Sequence, residues 1–173
     1  LITKYPNSVR EKISLQLADA KHLPFKRESF DIVFITDLIE HLLPWEADLL
    51  LKEIYFVLKK DGLLIIHTAP NSWYYNFGYP FYRLMRWTND GAKLLRNPRS
   101  NYDMKLYVNE QNYFSFKKTL EEHNFCGRIS LTVPLRKQGN IIKLFLFFLI
   151  YRCFPMNLFF CPSIWCRVMK KHN

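Results

Sequence analysis

The chain has 173 residues, 49% of them hydrophobic and 23% charged, which suits one folded domain with a full core and excludes a disordered chain. Its net charge of +10 is uneven: 17 Lys+Arg nearly balance 15 Asp+Glu up to Glu122, while the 8 Lys+Arg from Arg128 to Lys171 face no acid at all. That basic tail is interleaved with Phe, Leu and Trp, which fits an anionic membrane surface better than a phosphate-tracking face, and no nucleic-acid recognition motif accompanies it.

In chain order, Leu1 to Lys12 is polar and indistinct, and the first residue is Leu rather than Met. Ile13 to Ala18 alternates apolar and polar side chains and predicts a strand ending at Asp19-Ala20. Pro24 forbids a helix through the next segment. Ser29 to Ile35 is a nearly continuous apolar run, the pattern of a strand covered on both faces. Asp37, Glu40 and His41 follow in a polar loop.

A helix is predicted from Pro44 to Lys60. Pro44 fits its first position, Glu46 and Asp48 its positive end, and Lys59 and Lys60 its negative end. Ala47, Leu50, Leu51, Ile54 and Leu58 form its apolar stripe, and Gly62 is placed for a left-handed C-cap. Leu63 to His67 then reads as a buried strand, closing on Thr68-Ala69-Pro70-Asn71. Strand, polar loop, helix and strand make a βαβ crossover with polar residues past each strand's C-terminal end, the edge where ligands bind in open α/β sheets.

Residues 72–109 hold Trp73, Tyr74, Tyr75, Phe77, Tyr79, Phe81, Tyr82 and Trp87 without a clean period, as an acceptor lid or a packed structural excursion would. Glu110 to Asn124 predicts an amphipathic helix, Arg128 to Val133 a strand, and Ile164 to Met169 a last strand. Residues 139–162 are strongly apolar, interrupted at Arg152, Pro155 and Pro162. Four cysteines (Cys126, Cys153, Cys161, Cys166) include no Cys-x-x-Cys, so free thiols in a reducing, cytoplasmic compartment are expected rather than zinc.

Several stretches together resemble one family. They are Ala18-Asp19-Ala20-Lys21-His22-Leu23-Pro24-Phe25, Ser29-Phe30-Asp31-Ile32-Val33, Ile39-Glu40-His41-Leu42, Glu53 to Gly62, and the aromatic segment after Pro70-Asn71. In order and spacing they resemble the third strand onward of a class I S-adenosylmethionine-dependent methyltransferase. Phe56 stands where that family usually has Arg, and Leu63 where it usually has a second Gly. The resemblance implies an α/β, Rossmann-like sheet, truncated at its N-terminus so that the family's first strand and Gly-rich loop lie upstream of residue 1, with a hydrophobic helical insert toward the C-terminus. The whole chain, 1–173, is then one partial domain.

The resemblance also implies site roles. Asp19 would accept a hydrogen bond from the adenine amino group, and the Ala20 N–H would meet a ring nitrogen; the plainer alternative is that Asp19 caps its own turn. Asp37 and His41 are the catalytic candidates. Asp37, Glu40 and His41 lie within one turn and resemble an acid-x-x-Glu-His cluster able to hold a divalent cation, which would orient a hydroxyl and lower its pKa. His41 as a base without metal is the competing reading, and support of the loop is the bland one. Trp73, Tyr74 and Tyr75 are placed to wall the acceptor pocket. His22 and His67 are read as structural hydrogen-bonders.

Methyl transfer to a small-molecule or lipid-linked acceptor, at oxygen, is the expected function. A non-catalytic methyltransferase-like remnant that binds a membrane or partner is the alternative. A helix over Ile141–Tyr151 is expected to lie on a membrane or cover a lipid-like acceptor, with surface contact through 141–166. A single membrane span near 144–166 is the runner-up.

Overall fold

The computed structural model describes residues 12–85, 95–132 and 149–171. Its centre is a sheet of four strands: β1 (Phe30–Thr36), β2 (Leu58–Thr68), β3 (Phe125–Thr132) and β4 (Ser163–Lys170), in the order β1-β2-β4-β3. β1 and β2 run parallel, and β4 is antiparallel to both its neighbours. The helix α1 (Pro44–Val57) joins the parallel pair, so the predicted crossover is present. Parallel neighbours require such a connection, because a tight turn can only reverse the chain.

One face of the sheet is covered. Ala47, Leu50, Leu51 and Ile54 of α1 pack with Ile35, Leu64, Ile66, Ile164, Cys166 and Val168 from the strands. Helix α4 (Tyr113–Glu122) adds Phe116 and Leu120 to the same core. Its first turn is held by Asn112, whose side chain accepts from the N–H groups of Phe114 and Ser115. The opposite face carries Ile32, Phe34, His67 and Trp165; Ile32 and Phe34 are more than half exposed.

Between β2 and α4 lie a π-helical turn (Tyr74–Gly78), α2 (Tyr79–Met85) and α3 (Asn101–Leu106). After β3, description resumes with a helical stretch over 149–152, then α5 (Met156–Phe160) and β4. The π-helical turn packs directly on α5. A Cβ added to Gly78 would collide with the backbone carbonyl of Phe159, so glycine is required by proximity there.

Several boundaries differ from expectation. Residues 13–18 are extended but pair with no strand among the described residues, and Leu15 and Leu17 are exposed. Alternation supplies a strand's two faces, but without a hydrogen-bonding neighbour no strand forms. Helix α1 ends at Val57 rather than Lys60, and β2 begins at once with the fully buried Leu58. The register shifts between Phe30↔Leu58 and Ile32↔Leu63, so residues 59–62 form an irregularity in the strand instead of a turn. Gly62 is not a left-handed C-cap. It admits Leu58, whose Cγ would lie 2.7 Å from an added Cβ.

β3 starts at Phe125, earlier than predicted, because Asn124 adopts a left-handed φ of 59° and turns the chain immediately. The single span near 144–166 is overturned. Residues from Ser163 belong to β4, paired on both sides inside the sheet, and among the described residues no helix is long and apolar enough to cross a membrane. The predicted helix over 141–151 is described only from 149 onward; its earlier part lies outside the described residues.

Candidate active site

The C-terminal ends of β1 and β2 lie side by side, with Thr36 paired to His67. Just beyond, Asp37 adopts a left-handed φ of 50°, a conformation that Asp tolerates better than most residues. This turns Asp37 back over β2. Its N–H donates to the His67 carbonyl at 3.1 Å, and its Oδ1 lies 2.8 Å from His67 Nδ1. The His67 ring packs against Trp165 of β4, with centroids 4.5 Å apart and the planes tilted by 39°. His67, read as structural from sequence, is therefore the side-chain partner of Asp37.

Glu40 and His41 belong to a 3₁₀ turn (Ile39–His41) and point elsewhere. Glu40 is only 1% exposed, and its Oε2 accepts from the Thr68 hydroxyl at 2.8 Å. Its carbonyl accepts from the Asn109 N–H at 3.1 Å. The Thr68 bond ties the turn to the end of β2. His41 is exposed; its Nδ1 meets the Leu106 carbonyl at 3.2 Å, and its ring lies 5.1 Å from that of Tyr107. A carbonyl can only accept, so Nδ1 carries the hydrogen in this contact and Nε2 holds the lone pair.

The cation reading of Asp37, Glu40 and His41 is corrected accordingly. The three bind three different partners, and among the described residues no group of three His, Cys, Asp or Glu could hold a metal ion. Sequence spacing placed them within one turn, but the left-handed Asp37 and the buried Glu40 send their carboxylates apart. No step through a divalent cation follows.

The turn after residue 18 is fastened to α1. Asp19 Oδ1 accepts from the Lys21 N–H at 2.9 Å, and this bond, ahead of the Lys21 charge, holds the Asp19 carboxyl below its usual range. Lys21 Nζ reaches Glu46 at 3.1 Å, and Glu53 Oε2 accepts from the Leu23 N–H at 2.9 Å. Asp19 does cap its turn, as the plainer alternative had it. It also stays about half exposed and ionised, with lone pairs left for a donor such as an adenine amino group. Ala20 packs beside it against the core.

Trp73, Tyr74 and Tyr75 diverge. Trp73 stacks on Phe159 with rings 5.1 Å apart and 12° from parallel. Burial pushes the Tyr74 phenol up to about 12. Tyr75 lies under the Arg99 guanidinium at 4.7 Å, and Arg99 Nη1 donates to both Glu110 carboxylate oxygens, at 2.7 and 2.8 Å. Asn71 anchors the start of this segment. Fully buried, it donates to the carbonyls of Leu158 and Cys161 at 2.8 and 2.9 Å and accepts from the Trp73 N–H. Phe77, Phe81, Leu149, Ile150, Met156, Phe159 and Phe160 line an apolar groove of about 500 Å³.

His67, Trp165 and Asn71 were missed as site residues. The parallel crossover itself held the signal for His67, since pairing β1 with β2 must bring the residues after both strand ends together. Nothing in the sequence pointed to Trp165, which arrives from a strand about 100 residues away.

With this geometry, residues 3–66 match the family described as a methyltransferase domain. An uncharacterized protein of Haemophilus influenzae is 47% identical over 62 residues, covering 35% of this chain and 24% of that protein. A demethylmenaquinone methyltransferase of Lactobacillus johnsonii is 47% identical over 55 residues, 32% of this chain and 22% of that enzyme. The matches thus span about a quarter of the curated relatives.

Among solved structures, a SAM-dependent methyltransferase from Archaeoglobus fulgidus superposes with a TM-score of 0.54 at 17% identity, covering 93% of this chain and 69% of that one. The phosphoethanolamine N-methyltransferase 2 of Haemonchus contortus, solved with S-adenosyl-L-methionine, gives 0.50 at 16% identity, covering 89% and 36%. Residues 3–66 thus match the methyltransferase domain, and the fold of the chain is that of class I, S-adenosylmethionine-dependent methyltransferase structures.

Proposed function

We propose that this chain is the acceptor-side portion of an enzyme that methylates a small-molecule or lipid-linked acceptor at oxygen, using S-adenosylmethionine. The observation that carries the reading is the C-terminal edge of the parallel β1–β2 pair, where the Asp37 carboxylate meets the His67 imidazole within a chain whose residues 3–66 match the methyltransferase domain. When bound, the cofactor supplies an electrophilic methyl group on a sulfonium and leaves as a neutral thioether. In this reading Asp19 accepts from the adenine amino group and the Ala20 backbone lies against the ring.

Holding the acceptor oxygen in line with the methyl group is the larger part of the work. Trp73, Tyr74 and Tyr75 wall the acceptor, and a base at the Asp37–His41 edge takes its proton. The apolar groove lined by Phe77, Phe81 and Phe159 supports a lipid tail on that acceptor, because burying apolar surface there costs no polar desolvation. In the same proposal the apolar surface over residues 149–160 rests peripherally on a membrane surface, on the cytoplasmic side.

Calorimetry of the protein with S-adenosylmethionine tests the reading. Saturable binding that weakens about tenfold in Asp19→Asn, roughly 1.4 kcal/mol, supports it. Binding absent from the parent protein favours the non-catalytic remnant instead.

A further inference from the structure

We propose that His67 is the general base of this site and that Asp37 is its positioning residue. The inference rests on the methyl-transfer reading. Two bonds tie Asp37 to His67, one from the backbone N–H to the His67 carbonyl and one from the carboxylate to Nδ1. Both depend on the left-handed turn at Asp37. An ion pair whose carboxylate is 58% exposed adds little stability, so the strained turn is not explained by what the pair contributes to the fold. Its consequence is chemical.

With Nδ1–H donated to Asp37, Nε2 is left as the lone-pair nitrogen, and the ring is held against the tilted Trp165 ring. His41 has only the neutral Leu106 carbonyl behind it. A carboxylate accepts the Nδ1–H bond more strongly than a neutral carbonyl and so fixes the ring and its tautomer more firmly. In the step, the acceptor O–H gives its proton to His67 Nε2 and its electron pair forms the new O–CH₃ bond. The C–S bond breaks with its pair passing to sulfur, which changes from sulfonium to thioether.

The first test is independent of turnover. Nitrogen-15 NMR of the imidazoles is expected to show neutral His67 as the Nδ1–H tautomer in the parent, reverting to mainly Nε2–H in Asp37→Ala. An Nε2–H tautomer in the parent overturns the proposal. The second test is kinetic. His67→Asn keeps a donor toward Asp37 but lacks the base, and is expected to lower kcat on the order of 10²-fold or more while cofactor affinity stays put. Asp37→Asn, which tolerates the same φ, is expected to fall by a smaller factor. Retention of kcat within threefold in a natively melting His67→Asn overturns the dyad, as does a loss confined to His41→Asn. A parent that binds no cofactor and methylates nothing counts against the methyl-transfer reading instead, and the tautomer measurement then decides the pair alone.

Discussion

Glu40 looks like a site residue from its neighbours and is a structural one by its bonds. Its carboxylate is buried and serves Thr68, which itself is 1% exposed. Glu40→Ala leaves that hydroxyl without a partner, and urea unfolding is expected to register a loss of about 1–3 kcal/mol. Tyr74 gives a pH signature. Its phenol is pushed up from 10.0 to about 12 by burial, so the folded chain favours the neutral form. Below pH 10 both states keep the proton and stability is unaffected. Between about 10 and 12 the unfolded chain releases it first, so stability falls as the pH rises through that window. A phenolate absorbance titration is expected to show a late-titrating component that shrinks in Tyr74→Phe. The thiols divide in the same way. Cys126 is exposed, whereas burial pushes Cys161 up to about 11 and raises Cys166 further. A thiol reagent at neutral pH should modify Cys126 readily and reach Cys161 and Cys166 only on unfolding.

Among the elements, the contact between the π-helical turn and α5 fixes one wall of the apolar groove. Asn71 holds α5 from one side through the Leu158 and Cys161 carbonyls. Gly78 lets the turn approach from the other. Gly78→Ala has no flexible side chain to displace, only the Phe159 backbone, and is expected to cost about 1–3 kcal/mol by thermal unfolding. A variant melting like the parent would mean that the two elements are not packed this closely. Helices α1 and α4 cover one face of the sheet, while the dyad and Trp165 stand on the other. Core and candidate chemistry are thus separated by the alternation of side chains along β2: Leu64, Ile66 and Thr68 point one way, His67 the other.

At the scale of the molecule, the groove and the nearby exposed apolar residues, Phe154 among them, bear on the proposed membrane contact. Anionic vesicles are expected to co-sediment the protein, and Phe81→Asp to reduce the bound fraction severalfold by placing a charge among apolar residues. Recovery of all the protein in the supernatant at low salt would defeat the peripheral-contact proposal.

The sequence by itself determined the βαβ crossover, the methyltransferase-type fold, the core stripe of α1 and the last strand, because each is written in local periodicity and in turn residues. It also placed Asp37 at the site edge. It misplaced strand 13–18, since alternation says nothing about whether a neighbour exists, and it extended α1 to Lys60, since Leu58 continues the helical stripe equally well. Only the tertiary structure decided the partners. A left-handed φ at one residue turned Asp37 toward His67, the buried Thr68 claimed Glu40, and a carbonyl on α3 met His41. Those are contacts between residues 28 or more positions apart, which no local pattern encodes.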